Sequence, residues 1–91
     1  MSLKFTLGQI VATPAALETI EKSGQTAAEF LSRHADGDWL NLCPEDRAAN
    51  ERAIREGLRI MSVYKTQRKN EIWIITEADR SVSTILLPEE Y

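Results

Sequence analysis

His34 is the only histidine in this 91-residue chain, which makes it the first candidate for acid–base chemistry. Ala27, Phe30 and Leu31 precede it at helical spacing, so His34 is expected at the end of an apolar helix face. A histidine at such a boundary typically bonds a backbone carbonyl or a neighbouring carboxylate. A catalytic role requires a partner from elsewhere in the fold, and the sequence does not place one.

Asp36 and Asp38 lie two positions apart, close enough for both carboxylates to contact a divalent ion. A calcium loop needs several further oxygen ligands at fixed spacing, whereas Trp39 and Leu40 follow here. A turn that ends a helix is therefore the favoured interpretation. The sequence predicts no metal site and no cofactor.

Cys43 is the only cysteine, so the chain has neither an internal disulfide nor a cysteine cluster for a metal. It comes directly before a predicted helix, whose N-terminus lowers the pKa of a thiol. Glu45 and Asp46 oppose that effect by like-charge repulsion. We interpret Cys43 as a structural thiol.

Arg80 lies in a predicted turn among hydroxyl side chains, and such a set can bind phosphate. Serine and threonine are also common on exposed strand faces, which explains the same residues without a ligand. No glycine-rich phosphate loop, nucleophile elbow, zinc-finger spacing or metalloprotease helix is present. By residue type alone, the catalytic candidates are His34, Arg68, Arg80 and Thr84.

Composition indicates one soluble domain over residues 1–91. The chain has 11 basic and 14 acidic residues and a net charge of −3, so charge does not indicate a nucleic-acid partner. No leader or long apolar segment is visible, which predicts a cytoplasmic protein without membrane contact.

Three helices are predicted in the first two thirds of the chain. Thr13 and Pro14 begin the first, which ends at residues 23–24. Thr26 begins the second and forms a predicted capping box with Glu29. The third and longest runs from residues 43–44 to about Glu56, before a glycine.

Three strands follow the helices. Residues 58–65, 71–76 and 81–87 are rich in β-branched side chains and are separated by polar turns, which predicts an antiparallel meander. Residues 5–11 are a candidate fourth strand that Gly8 interrupts. The predicted class is α+β, with the helices packed on the sheet.

The strand around Trp73 is apolar on both faces and should therefore be central and covered on both sides. Three short helices on one face cannot supply all of this cover. Either the amino-terminal segment or a partner is expected to supply the rest. The longest helix is expected to lie across the sheet, and Trp39 to close one end of it.

Four segments resemble a family of small plasmid-related proteins of bacterial mobile elements: LGQIVATP at 7–14, GDW at 37–39, IWIITEADRS at 72–81 and LLPEEY at 86–91. Some members are labelled restriction-modification components. At this length the label cannot mean a methyltransferase, because no cofactor-binding domain is present. The resemblance implies a genomic setting rather than an established activity.

The order of elements more weakly resembles the fold of barnase-like and RelE-like ribonucleases, in which helices precede an antiparallel meander. That resemblance implies basic, hydroxyl and sometimes histidine residues on the sheet. The acidic charge of this chain departs from it, since RNA-cleaving toxins are usually basic. No catalytic residue is assigned by motif.

Three hypotheses follow. The first is a mobile-element accessory protein that inhibits or modulates by protein–protein interaction, through the sheet, with a protein partner or a second copy. The alternative is a small ribonuclease or toxin-like enzyme. The third is a structural domain of a larger complex.

Overall fold

The structure, a computed structural model, describes residues 3–91. Its elements, in chain order, are β1 (Gln9–Ala12), α1 (Pro14–Lys22), α2 (Ala27–Ala35), α3 (Pro44–Glu56), β2 (Ile60–Lys65), β3 (Glu71–Thr76) and β4 (Val82–Leu86). A short 3-10 turn, Pro88–Glu90, follows the last strand. The α+β class is confirmed.

The sheet differs from the prediction in one strand. Its order is β1-β4-β3-β2; β2, β3 and β4 form the predicted antiparallel meander, while β1 pairs in parallel with β4. The sheet is therefore four-stranded and mixed, and a strand precedes the helices. Within residues 5–11, only the end is strand, because Gly8 turns the chain with a φ of 67°. A Cβ there would overlap the main chain of Arg80 and Ser81.

The helix boundaries follow from local chemistry. The Thr13 side chain accepts from the Ala16 N–H at 3.1 Å, and Gly57 ends α3 in the left-handed conformation. The capping box at α2 is only half formed. Thr26 accepts from the Glu29 N–H, but the Glu29 carboxylate accepts from the Gln25 side chain at 2.7 Å instead of reaching back.

α1 and α2 pack on one face of the sheet. Alternation along the strands turns Tyr64, Ile72 and Ile74 toward these helices, and all three are fully buried. The cluster that joins the helices to the sheet comprises Ala16, Ile20, Phe30, Tyr64, Ile72, Ile74 and Ile85. β3 lies between β4 and β2 in the sheet, which confirms its predicted central position.

α3 lies beside the edge strand β2 rather than across the sheet, which corrects that expectation. Ala53 of α3 packs with Phe5, Trp39 and Ile60 in a second core cluster. Trp39 is 4% exposed and closes this end of the sheet, as predicted.

The opposite side of the sheet, which we call the open face, carries Met61, Val63, Trp73, Ile75, Thr84, Leu86 and Val11. Over Trp73 its cover comes from the carboxyl-terminal segment rather than from the amino terminus. Tyr91 contacts Trp73 with ring centroids 5.4 Å apart. Glu90 anchors this segment by accepting from the Leu87 N–H and the Thr13 hydroxyl. The cover is partial, since Trp73 remains half-buried.

Among residues 3–91, no helix combines the length and apolar character needed to cross a membrane.

Candidate functional site

His34 is fully buried and bonded through both ring nitrogens. Its Nδ1 hydrogen-bonds the Ser62 hydroxyl, and its Nε2 lies 2.8 Å from the Thr76 hydroxyl. The Trp39 indole N–H, which can only donate, bonds the Ser62 oxygen at 2.8 Å. The Ser62 proton therefore remains available for Nδ1. Instead of the predicted carbonyl or carboxylate, the partners of His34 are hydroxyls.

The far end of this chain of bonds fixes the histidine tautomer. The Ser83 hydroxyl donates to the Leu7 carbonyl at 2.8 Å, so it must accept from Thr76 at 2.6 Å. Thr76 has then used its only proton and must accept from His34 Nε2. Nε2 therefore carries a proton, and when Nδ1 accepts the Ser62 proton the imidazole is neutral.

Burial lowers the pKa of His34 to about 4, in accord with this neutral state. The Phe5 ring meets the imidazole edge-on, with centroids 5.0 Å apart. Both nitrogens are occupied and neither reaches solvent. The geometry is that of a buried structural network joining α2 to β2, β3 and β4.

Arg80 is committed to main-chain carbonyls. Its guanidinium donates to Leu58 at 2.7 Å and to Ala53 at 2.9 Å, near the carboxyl end of α3, and to Glu77 and Ala78 in its own turn. A cation at this position also complements the negative end of the helix dipole. Arg80 therefore clamps the β3–β4 turn to α3.

The four catalytic candidates do not share one site. Phe5 contacts both His34 and Arg80, with the guanidinium carbon 5.9 Å from the ring centroid. Thr84 pairs with Ile75 on the open face, away from His34. Arg68 is exposed in the β2–β3 turn, at the other end of the sheet from Arg80.

The two aspartates after α2 act locally. Asp38 accepts from the Arg33 Nε at 2.8 Å, and its carbonyl accepts from the Tyr64 hydroxyl at 2.8 Å. Burial raises the pKa of Tyr64 to about 12 and outweighs the opposing effect of the Ser62 hydroxyl. One carboxylate oxygen each of Asp36 and Asp38 is buried without a hydrogen-bond partner. Within residues 3–91, no group of three or more histidine, cysteine or acidic side chains could hold a metal.

Cys43 is exposed at the position before α3. The backbone of Asp46 lowers the pKa of its thiol, but the Glu45 and Asp46 carboxylates and slight desolvation outweigh that effect and raise the pKa overall. Of the two opposing effects predicted from the sequence, that of the carboxylates is therefore larger, and the thiol form of Cys43 is favoured over the thiolate.

A pocket between α3 and β2, which we call the groove, was not predicted. Its volume is about 250 Å³, and its lining consists of Leu42, Asp46, Ala49, Asn50, Met61 and Val63. The sequence signal was the small side chains of α3, which leave room beside the strand. Without knowledge that α3 flanks an edge strand, those alanines indicated only close packing.

The main chain of β2 is partly free along the groove. Asn50 bonds both main-chain groups of Met61 on the side away from β3. Because alternate residues of an antiparallel strand point the same way, Val63 and Lys65 also direct their main-chain groups outward. The Val63 carbonyl accepts one long bond, 3.4 Å, from the exposed Asn41 side chain. Along this stretch of edge Lys65 is exposed and Val63 is half-buried.

The chain matches no protein-family model, no curated protein and no solved structure. The two family resemblances therefore remain predictions. Function must be inferred from the geometry of this chain.

Proposed function

We propose that the protein is a small cytoplasmic accessory protein of bacterial mobile elements that inhibits or modulates a protein partner by binding it, with no catalysis of its own. The supporting observation is the unequal cover of the central strand. Ile72 and Ile74 are fully buried on the helix side; on the open face Ile75 is buried as well, and Trp73 alone of the apolar residues of this strand is half-buried. Partly exposed aromatic and aliphatic side chains grouped on one surface are typical of protein interfaces.

The open face continues to the edge of the sheet. Val11 is 42% exposed at one side, and Met61 and Val63, which also line the groove, are half-buried at the other. Tyr91, which is 67% exposed, adds a second aromatic ring above Trp73. Tyrosine and tryptophan are enriched among the residues that contribute most to binding free energy.

The absence of catalysis is proposed because the two strongest candidates are already occupied. His34 has no free ring nitrogen, and the Arg80 guanidinium is bonded to carbonyls. The acidic charge also gives no attraction for an RNA backbone. If the purified wild-type protein cleaves RNA above a mock preparation, this part of the proposal is wrong.

Two adjacent residues allow a matched test of the open face. Val11 and Ile10 have nearly equal exposure, 42% and 43%, but point to opposite sides of β1. We expect a partner captured by the wild-type protein from cells of its own host to bind Ile10→Asp normally. Binding to Val11→Asp should weaken by about tenfold or more. Circular dichroism of both variants checks the fold.

The proposal fails if no host protein is captured. It also fails if the captured partner binds Val11→Asp as tightly as wild type, or is lost from Ile10→Asp alone.

A further inference from the structure

The groove has the size and lining to receive one apolar side chain. A buried cavity of about 150 Å³ suffices for benzene in a protein core, and the groove measures about 250 Å³. Four of its lining residues are apolar: Leu42, Ala49, Met61 and Val63. A leucine, methionine or aromatic side chain would therefore find both room and apolar contacts.

The edge of β2 beside the groove can bind a main chain. Asn50 blocks further pairing at Met61, because it bonds both main-chain groups of that residue. Val63 and Lys65 lie just beyond, with main-chain groups directed outward, and an added strand would replace the 3.4 Å bond from the Asn41 side chain to the Val63 carbonyl. An extended peptide can hydrogen-bond such an edge as an added strand. Because Asn50 occupies the Met61 main chain, the added strand would stop pairing with β2 at the point where the pocket begins.

The charge at the groove is specific in sign. Asp46 is the one charged residue in the lining, and among residues 3–91 its carboxylate takes part in no ion pair. Asp46 is exposed in the first turn of α3, so a lysine or arginine next to the inserted side chain can pair with its carboxylate.

From these features we propose that the groove binds an extended peptide segment of the partner protein. The segment adds to the β2 edge at Val63 and Lys65, places an apolar side chain in the pocket, and sets a lysine or arginine against Asp46. This inference rests on the proposed function and specifies its partner by chemistry.

The test is selection of a random heptapeptide display library on the immobilised wild-type protein. Enriched peptides should carry lysine or arginine within two positions of a leucine, methionine or aromatic residue. Synthetic copies are then titrated by fluorescence anisotropy. Failure to enrich any family, or enrichment of acidic peptides, would overturn the inference.

Two neighbouring alanines of α3 provide the control for the pocket. Ala49 lines the groove and Ala48 does not, while both are exposed. Ala49→Trp should fill the pocket and weaken peptide binding by about tenfold or more, whereas Ala48→Trp should stay within about twofold. Equal affinities of the two variants would show that the peptides bind elsewhere.

Two acids of the same helical turn control for charge. Asp46→Asn should weaken binding about three- to tenfold at low salt, with a smaller effect at high salt, whereas Glu45→Gln should change it little.

Strand addition is measured by NMR. The amide signals of Val63 and Lys65 should shift and gain protection from hydrogen exchange when the peptide is bound. Unchanged amides would contradict that mode.

Failure here is distinguishable from failure of the proposed function. A host partner that discriminates Val11→Asp from Ile10→Asp, but not Ala49→Trp from Ala48→Trp, would uphold the open face and overturn the groove. A partner that discriminates only Ala49→Trp from Ala48→Trp would uphold the groove and overturn the open face. Sedimentation is run in parallel, since self-association abolished by Ala49→Trp but not by Ala48→Trp would assign the groove to a second copy.

Discussion

The side chain of Asn50 pairs with the main chain of Met61 as a neighbouring strand would. Its Nδ2 donates to the Met61 carbonyl at 2.7 Å, and its Oδ1 accepts from the Met61 N–H at 3.2 Å. A helix thereby supplies both hydrogen bonds of one residue at a sheet edge. The contact fixes α3 beside β2 and forms one end of the groove.

Asn50→Ala should lower the free energy of unfolding by about 1–3 kcal/mol, because it leaves two main-chain groups of Met61 without partners. Asn50 is 6% exposed, so water replaces the amide poorly. Urea denaturation measures the loss. Asn41→Ala is the control, since that side chain is exposed and makes only a 3.4 Å bond to β2; its cost should be below about 0.5 kcal/mol. Equal losses in the two variants would contradict this role for Asn50.

The free energy of unfolding should decrease as the pH is lowered, because of His34. The pKa of His34 is about 4 in the folded protein and 6.5 in the unfolded chain, so the unfolded chain binds a proton first as pH falls. The contribution of neutral His34 to the free energy of unfolding is complete above about pH 6.5 and disappears progressively as pH falls through 4. It amounts to about 3 kcal/mol, at roughly 1.4 kcal/mol per pKa unit.

Urea denaturation between pH 4 and 7.5 follows this decline, and NMR titration of the imidazole separates His34 from the carboxylates. An NMR pKa near 6.5 in the folded protein would show that the imidazole is not held neutral by burial.

Thr76→Val should be strongly destabilising, although it nearly preserves shape. It removes the hydroxyl that links His34 to Ser83 and leaves buried polar groups unpaired. We expect a loss of about 2–3 kcal/mol by thermal or urea unfolding. Thr84→Val makes the same change on the open face, outside this network, and should cost less than about 0.5 kcal/mol. A loss at Thr84 equal to that at Thr76 would refute the network's role.

The local elements were predictable because their signals are local. Thr13 with Pro14 begins a helix and Gly57 ends one, each through contacts within a few residues. The parallel pairing of β1 was not, because it joins Val11 to Thr84 across most of the chain. A short strand carries too little alternation to indicate such a partner.

The candidate site was predictable by residue type but not by environment. The partners of His34 lie 28 and 42 residues away in sequence, so no spacing pattern could show that both its nitrogens are occupied. The groove arises only when α3 docks against an edge strand. Its lining combines side chains that, along the sequence, indicate nothing more than a helix and a strand.

The side chain of Arg80 stabilises the fold, whereas its backbone conformation destabilises it, and substitutions can separate the two effects. Its φ is 62°, a left-handed value that costs a non-glycine residue about 1 kcal/mol or more. Arg80→Ala loses the clamp on Ala53 and Leu58 and keeps the strain, so it should lower the free energy of unfolding by about 2–3 kcal/mol.

Arg80→Gly also loses the clamp but relieves the strain, so it should be about 1 kcal/mol more stable than Arg80→Ala, the reverse of the usual order of alanine and glycine. Lys69 provides the control, because it is exposed and has a φ of 72° in the other turn. Lys69→Gly should match or exceed wild-type stability in urea denaturation. If Arg80→Ala is as stable as Arg80→Gly, strain at this turn is negligible; if both equal wild type, the guanidinium contributes nothing to joining the turn to α3.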